Sequence, residues 1–224
     1  MSEQSAGGRE ILQNIICVTN RRIAAESAGI SGVDGEEGRG TFLAQLRRVA
    51  ARKPEAVILR EKDLAEEDYR MLAKDVLAVC HAAQVPCILH TFVDAAEELG
   101  ADGLHLSLPV LRAWCHQHGD GSALRSRFRV LGASCHSVAD AREAASLGCT
   151  YVTVGHIYAT ACKKGLPPRG LGLLRDCAEA STVPVYAIGG ITRERVPEVL
   201  AAGAEGACVM SGLMMRDFAN FWKA

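Results

Sequence analysis

The residues of this chain with chemistry to offer stand at recurring places. His90, His105, His136 and His156 occur in "CILH", "GLHL", "GASCHS" and "VGHIY", each in or just after a short apolar run. An imidazole with a pKa near ~6.5 both takes up and returns a proton at neutral pH, so any of them is a candidate acid/base. The stretch "VGHIYATACKKGLPPRG", 154–170, joins a histidine, a threonine, a cysteine and two adjacent lysines to a glycine-proline loop with no acidic residue. Such a loop is a cationic lid suited to an anionic ligand. "AIGGI" 187–191 and "VMSGL" 209–213 each put glycine at the end of an apolar run, where backbone N–H groups are able to approach an anion closely.

The elements that must hold these residues are legible in the apolar pattern. Short β-branched runs occur at 15–19, 56–60, 87–90, 103–106, 130–134, 151–155, 185–189 and 207–211. Between them apolar residues recur at three and four positions, as at 42–52, 66–83, 138–148 and 196–203, which predicts helices. Ser137 is a fitting N-cap with Asp140 three residues on, Gly148 and Gly203 fit as helix stops, and Pro197 requires its helix to begin just before it. Strand and helix alternate eight times, which predicts a parallel sheet closed into a single (β/α)8 TIM barrel. A doubly wound open sheet is the second architecture. One domain over 1–224 is expected, with a lead-in at 1–14 and, at 24–40, a Gly-rich mobile loop insertion after the first strand.

Composition narrows the partners. Lys and Arg number 25 against 26 Asp and Glu, a formal net charge of −1, which leaves no basic face for nucleic acid or an acidic membrane surface. No apolar run approaches the ~20 residues that span a bilayer. Nine cysteines are scattered singly, and "MSEQSAGGRE" has no apolar signal core. The reading is a reducing, cytoplasmic protein whose cysteines pack as small hydrophobes. Oligomeric state, a homo-oligomer included, is left open.

In a (β/α)8 barrel the chemistry gathers at the carboxyl ends of the strands. The second run ends in "LREKD", where Arg60 and Lys62 share a face; two cations at the mouth and a solvated charge run are equal readings. The glycine turns after the seventh and eighth runs, Gly189–Gly190 and Met210–Ser211–Gly212, are read as a phosphate cradle, with plain tight turns as the alternative. Four histidines without carboxylate partners make a poor metal site. One or two are expected to be core residues, and His116 and His118 to mark a helix end and its exposed loop. His136 has the best position for chemistry, just past a strand and before the helix capped by Ser137.

The motifs "LREKD", "GADGLHL", "GASCHS", "VGHIYATACKKGLPPRGLGLL", "AIGGI" and "AAGAEGACVMSGL" stand in the order and spacing of the thiamine phosphate synthase superfamily, which the chain resembles from residue 15 to about 213. The synthase branch is expected to carry an Asn-Asp pair after strand three and an acidic residue after strand four, as ligands of a magnesium ion that neutralises a pyrophosphate leaving group. Here His90 and Thr91 replace the pair, and Ser107, Leu108 and Pro109 follow strand four. Asp94 lies further on, in the next helix.

That departure, with the "GHIYATACKKGL" wording, resembles the thiazole tautomerase, or TenI-like, branch. The resemblance implies isomerisation of a dihydrothiazole carboxylate phosphate to the aromatic thiazole carboxylate phosphate, with no metal and no cofactor. Carried over by position, His136 is the acid/base. Thr160, Cys162 and Lys163 contact the thiazole carboxylate, and Gly189, Gly190, Met210 and Ser211 contact the phosphate. Ser134 is a further substrate contact, and Arg60 and Lys62 match the synthase's pyrophosphate-binding strand. The synthase branch has threonine where Cys162 stands. Adjacent residues point apart, so Lys163 is expected inward and Lys164 in solvent. The alternatives are a magnesium-dependent thiamine phosphate synthase and a non-catalytic ligand-binding or regulatory protein of the same pathway.

Overall fold

The computed structural model describes residues 14–222, so the expected lead-in 1–14 lies, Asn14 apart, outside the described residues. Each apolar run forms a strand: β1 Ile15–Val18, β2 Ala56–Leu59, β3 Cys87–His90, β4 Gly103–Ser107, β5 Val130–Cys135, β6 Tyr151–Gly155, β7 Val185–Ile188 and β8 Gly206–Val209. They follow one another in chain order around a closed parallel barrel. Every residue of β1, β2, β3, β6 and β8 is buried, the signature of strands covered on both faces. The helices are α1 Arg21–Ser27, α2 Glu36–Ala50, α3 Glu66–Ala82, α4 Val93–Glu98, α5 Leu108–His118, α6 Ser122–Arg127, α7 Val138–Ser146, α8 Gly170–Ala180, α9 Val196–Ala201, α10 Ser211–Met214 and α11 Ala219–Trp222. The fold is a (β/α)8 barrel. No helix among the described residues is long and apolar enough to cross a membrane.

The expected caps are present. Ser137 Oγ accepts from the Asp140 amide, Gly148 and Gly203 take left-handed φ of +89° and +91° just past their helices, and Pro197 sits in the first turn of α9. Eight of the nine cysteines are buried free thiols, and burial pushes Cys135 and Cys149 up to about 12, so they pack as neutral small hydrophobes. Cys162 alone is exposed.

Packing divides the chain into two compact units, residues 1–87 with 209–224 and residues 88–208. In the first, Phe42, Leu46 and Val49 bury one face of α2, and Gln45 Nε2 donates to the carbonyls of Leu213 and Met215 at 2.6 and 2.8 Å. In the second, neighbouring strands are in a register that sorts their side chains into layers: His90, His105, Gly132 and Tyr151 are successive partners, and one step further along Ser107, Ser134, Thr153 and Tyr186 are.

The expected insertion at 24–40 is corrected. Helix α1 runs through Ser27, and α2 starts at Glu36, six residues before the periodic pattern begins, with Glu36 and Glu37 favourably placed in its positive first turn. Only 28–35 is irregular, and it is held down. Asp34 pairs with Arg21, and Gly38 is buried where a Cβ would lie 2.3 Å from the Gly32 carbonyl and 2.7 Å from that of Val33. Gly38 is a close-packing glycine, not a flexible one. Gly38→Ala should therefore lower stability by about 1–3 kcal/mol, measured by thermal or denaturant melts; an unchanged melt would mean that 28–35 does not pack against α2.

Candidate active site

The second unit carries a polar face where apolar side chains usually fill a barrel strand. Side chains alternate along a strand, so in β3–β7 the residues His90, His105, Ser107, Gly132, Ser134, Tyr151, Thr153 and Tyr186 share one face. Gly132 makes this possible, since a Cβ there would lie 2.2 Å from the Tyr151 ring. With that space open, Tyr151 reaches across to His105. The Tyr151 hydroxyl lies 2.8 Å from His105 Nδ1, and Ser134 Oγ lies 2.9 Å from His105 Nε2. His90 stacks on His105 at 5.7 Å and has its Nδ1 2.5 Å from Thr91 Oγ1. Both are core histidines satisfied by neighbours, as expected. Thr153 is buried, and its Oγ1 has no hydrogen-bond partner among the described residues.

His136 continues the same face of β5 past the strand end. Its backbone N–H donates to Asp140 Oδ2 at 2.8 Å while Ser137 caps α7, so the helix start fixes the imidazole's base. Nδ1 lies 2.7 Å from the Gly155 carbonyl. A carbonyl only accepts, so Nδ1 carries the hydrogen and Nε2 the lone pair. His136 opens on a cavity of about 370 Å³ that it lines with Gly155, His156, Lys163, Leu166 and Arg169 among others. His136 and Lys163 are thus brought to one cavity. Thr160 is half-buried ahead of the short 3₁₀ turn Ala161–Lys163, and Cys162, Lys163 and Lys164 are all exposed on the same loop, so the expected contrast of an inward Lys163 with a solvated Lys164 is not seen in their burial.

The glycines after β7 have a packing role. A Cβ on Gly189 would lie 2.3 Å from His156 Cβ, and one on Gly190 would lie 2.5 Å from the Ala159 carbonyl. Their φ values are +96° and +67°. The 156–159 segment lies against this turn: Tyr158 N donates to the Gly189 carbonyl, and Arg195 donates to the Gly190 carbonyl at 2.6 Å while stacking over the Tyr158 ring. The Tyr158 hydroxyl donates to Glu198 at 2.7 Å; burial and that carboxylate push it up to about 12. In a trans peptide N–H and C=O point opposite ways. With both carbonyls turned to Tyr158 and Arg195, the N–H groups of Gly190 and Ile191 point to the other side of their peptides. A bulky residue at Gly190 would displace 156–159 as well, so it does not isolate a phosphate contact.

The remaining candidates belong to the first unit. Met210 Sδ lies 3.9 Å from Asn20 Nδ2, and Ser211 opens α10. Gly212 is half-buried, with a Cβ position 3.2 Å from the Phe221 ring. Arg60 is half-buried and donates its backbone N–H to Thr19 Oγ1, while Lys62 is exposed.

A family model described as thiamine monophosphate synthase matches residues 32–213. The chain belongs to that family. It is 35% identical over 201 residues to the thiamine-phosphate synthase of Roseiflexus castenholzii, covering 89% of this chain and 80% of that one. It is 33% identical over 165 residues to the synthase of Clostridium novyi, covering 72% and 77%. Among solved structures, the thiamine phosphate pyrophosphorylase of Pyrococcus furiosus shares the fold at a TM-score of 0.72, with 23% identity over 96% of this chain and 93% of that one.

The thiamine monophosphate synthase family brings an expectation of magnesium, which the residues present do not fit. Magnesium takes hard oxygen ligands, chiefly carboxylates. After β3 stand His90, engaged with Thr91 and His105, and Thr91 itself; after β4 stand Ser107 and the buried Leu108. Asp94 is exposed in α4, and no group of three His, Cys, Asp or Glu among the described residues is placed to hold a metal.

What the sequence reading missed is Glu61, between Arg60 and Lys62. It is buried, accepting from the Thr19 hydroxyl at 2.7 Å and from the Arg21 amide at 3.1 and 3.2 Å. Arg21, also buried, pairs in turn with Asp34 and with Asp63. Burial pushes the Glu61 carboxyl up, against the pull of those hydrogen bonds and of Arg21. For Asp63 burial acts upward too, but its hydrogen bonds with Arg22 hold it below the usual range. A carboxyl raised by folding favours the folded state fully below its ordinary pKa, and that contribution is lost as pH rises through the folded value. Relative to wild type, the melting temperature of Glu61→Gln should therefore rise from about pH 4 to pH 7, near and above the ordinary carboxylate range. Thermal melts across pH check this, and parallel curves would show that Glu61 ionises as it does in the unfolded chain.

Proposed function

We propose that this family member is an isomerase that aromatises a dihydrothiazole carboxylate phosphate, with His136 as the proton carrier. The observation that carries this reading is the His136 tautomer: the Gly155 carbonyl takes Nδ1–H, so the lone pair stands on Nε2 beside a cavity walled also by Lys163. The reaction needs a proton to leave the ring carbon next to the carboxylate and a proton to reach the exocyclic carbon. Nothing is transferred between molecules, and no charge builds on a leaving group. His136 Nε2 takes the first proton, becoming imidazolium, and returns one to the exocyclic carbon. Lys163 faces the substrate carboxylate, with Thr160 and Cys162 on the same loop as further contacts. The phosphate lies against the backbone N–H groups following Gly189, and Ser134 is a further substrate contact; Met210, Ser211, Gly212, Arg60 and Lys62 keep only the substrate-binding roles that the resemblance implies for them.

The names of the relatives favour a second reading, thiamine phosphate synthase, in which a pyrimidine pyrophosphate is joined to a thiazole phosphate. Against it stands the donor set after β3 and β4. Two measurements separate the readings. Purified protein should convert the dihydrothiazole carboxylate phosphate, with solvent deuterium entering the product, and turnover should survive chelator. His136→Gln should fold, bind the product and lose ~10²–10⁴-fold in rate. Magnesium-dependent formation of thiamine phosphate from the two synthase substrates would establish the second reading instead, and near-normal turnover by His136→Gln would remove His136 from the mechanism.

A further inference from the structure

The cavity beside His136 has two cations, of which the proposed reaction uses one. Lys163 and Arg169 both line it, and no carboxylate does. Neither side chain makes a hydrogen bond or an ion pair among the described residues, so both are available to a ligand.

The two cations stand on different supports. The backbone bonds of the Lys163 turn stay inside the loop: its N–H donates to the Thr160 carbonyl at 3.1 Å, and its carbonyl accepts from Leu166 at 3.2 Å. Those at Arg169 reach the barrel. The Arg169 N–H donates to the His156 carbonyl and the Gly170 N–H to the Ile157 carbonyl, both at 3.0 Å, while Ile157 N–H donates to Ile188 at the end of β7. Arg169 is therefore anchored to the same wall that carries the Gly155 carbonyl, the partner of His136.

Its place is unfavourable for a cation without a counter-ion. Arg169 is the N-cap of α8, and the start of a helix is its positive end, where side chains that accept hydrogen bonds or carry negative charge are preferred. Here the cap makes no side-chain hydrogen bond and the first turn has no acidic residue, so the helix offers the guanidinium no compensation. An anion in the cavity does. Which anion follows from His136: the proton it takes leaves the carbon next to the carboxylate, so a substrate within reach of Nε2 has that carboxylate in the same cavity. A guanidinium meets a carboxylate with two parallel N–H donors, which an ammonium cannot do.

We propose that Arg169 binds the ring carboxylate of the substrate alongside Lys163, and is the specificity-determining residue that selects a carboxylated thiazole phosphate over one without the carboxylate. Gripped from an anchored backbone, the carboxylate fixes the adjacent C–H against His136 Nε2. The proposal rests on the reading of the reaction as thiazole aromatisation.

Wild type, Arg169→Gln and Arg169→Lys should be compared for affinity toward two probes, the thiazole carboxylate phosphate and the thiazole phosphate lacking the carboxylate. Arg169→Gln is expected to weaken the carboxylated compound roughly 10–100-fold and to leave the other unchanged. Arg169→Lys, which keeps the charge and loses the fork, should fall between. Since the side chain is exposed, the ligand-free melting temperatures should stay within about 2 °C of wild type. Equal affinity of Arg169→Gln and wild type for the carboxylated compound would overturn the assignment and leave Arg169 a solvated surface residue. An equal loss toward both compounds would overturn it too, by giving Arg169 to the phosphate or to the shape of the loop. A wild type that fails to bind the carboxylated compound would overturn the reading of the substrate instead, whatever the Arg169 variants do.

Discussion

The Tyr151 ring and a side chain at position 132 are mutually exclusive, because any Cβ there would lie 2.2 Å from the ring. The polar face of residues 88–208 depends on that exclusion. With glycine at 132, Tyr151 crosses a strand to reach His105, His105 is left to hold Ser134, and His90 stacks on the far side. Each of these groups is costly to bury alone, and the low local dielectric that penalises an unpaired one strengthens each bond that is made. The outcome is a rigid polar network at a depth where most barrels place Val, Ile and Leu.

A second set of glycines does similar work at the strand ends. Gly155 has the Ile188 carbonyl 2.2 Å from its missing Cβ, and Gly189 and Gly190 have His156 and Ala159 at 2.3 and 2.5 Å. Three positions without side chains let the segment after β6 press onto the turn after β7. Packing and anion binding are not rival explanations of these residues. The hydrogen bonds that seat 156–159 engage the carbonyls of Gly189 and Gly190, and the planarity of the peptide then turns the following N–H groups the other way. One close approach both closes the loop and orients the donors.

The parts of this structure written in runs of like residues were legible in the sequence. All eight strands are short, largely buried stretches, and all appear within a residue or two of the expected bounds. The cap at Ser137 was also legible, because it has a local signal; that one or two of the four histidines are core residues was expected, but it took the register to show that they include His90 and His105. The segment 24–40 was not, since composition does not separate a glycine that loosens a loop from one, like Gly38, that admits a backbone at 2.3 Å. Glu61 was hidden inside "REKD", where alternation sends it to the opposite side from Arg60 and Lys62; neither reading of that run, two cations at the mouth or a solvated charge run, gave the residue between them an environment of its own. Thr153 had no signal at all. A threonine among valines is what any strand contains, and only the structure shows its hydroxyl buried without a partner among the described residues.

Sequence identity of 33–35% to thiamine-phosphate synthases places the chain in the family, and a shared fold is indifferent to which bond is made or broken. The reaction is decided by far fewer residues. Expelling pyrophosphate builds negative charge on a leaving group, and a site that does so must place compensating positive charge where that charge develops. The magnesium solution that the resemblance leads one to expect of a synthase would place carboxylates after strands three and four. Here one of those places is taken by a histidine stacked on a second histidine and the other by a buried leucine beside a serine. Proton transfer makes no such demand. It needs one group of matched pKa, correctly oriented at the edge of a cavity, and His136 meets the geometric half of that need through a hydrogen bond that its neighbour Gly155 can only accept. The residues present after β3 and β4 are not those that magnesium would require, while Lys163 and His136 line one cavity.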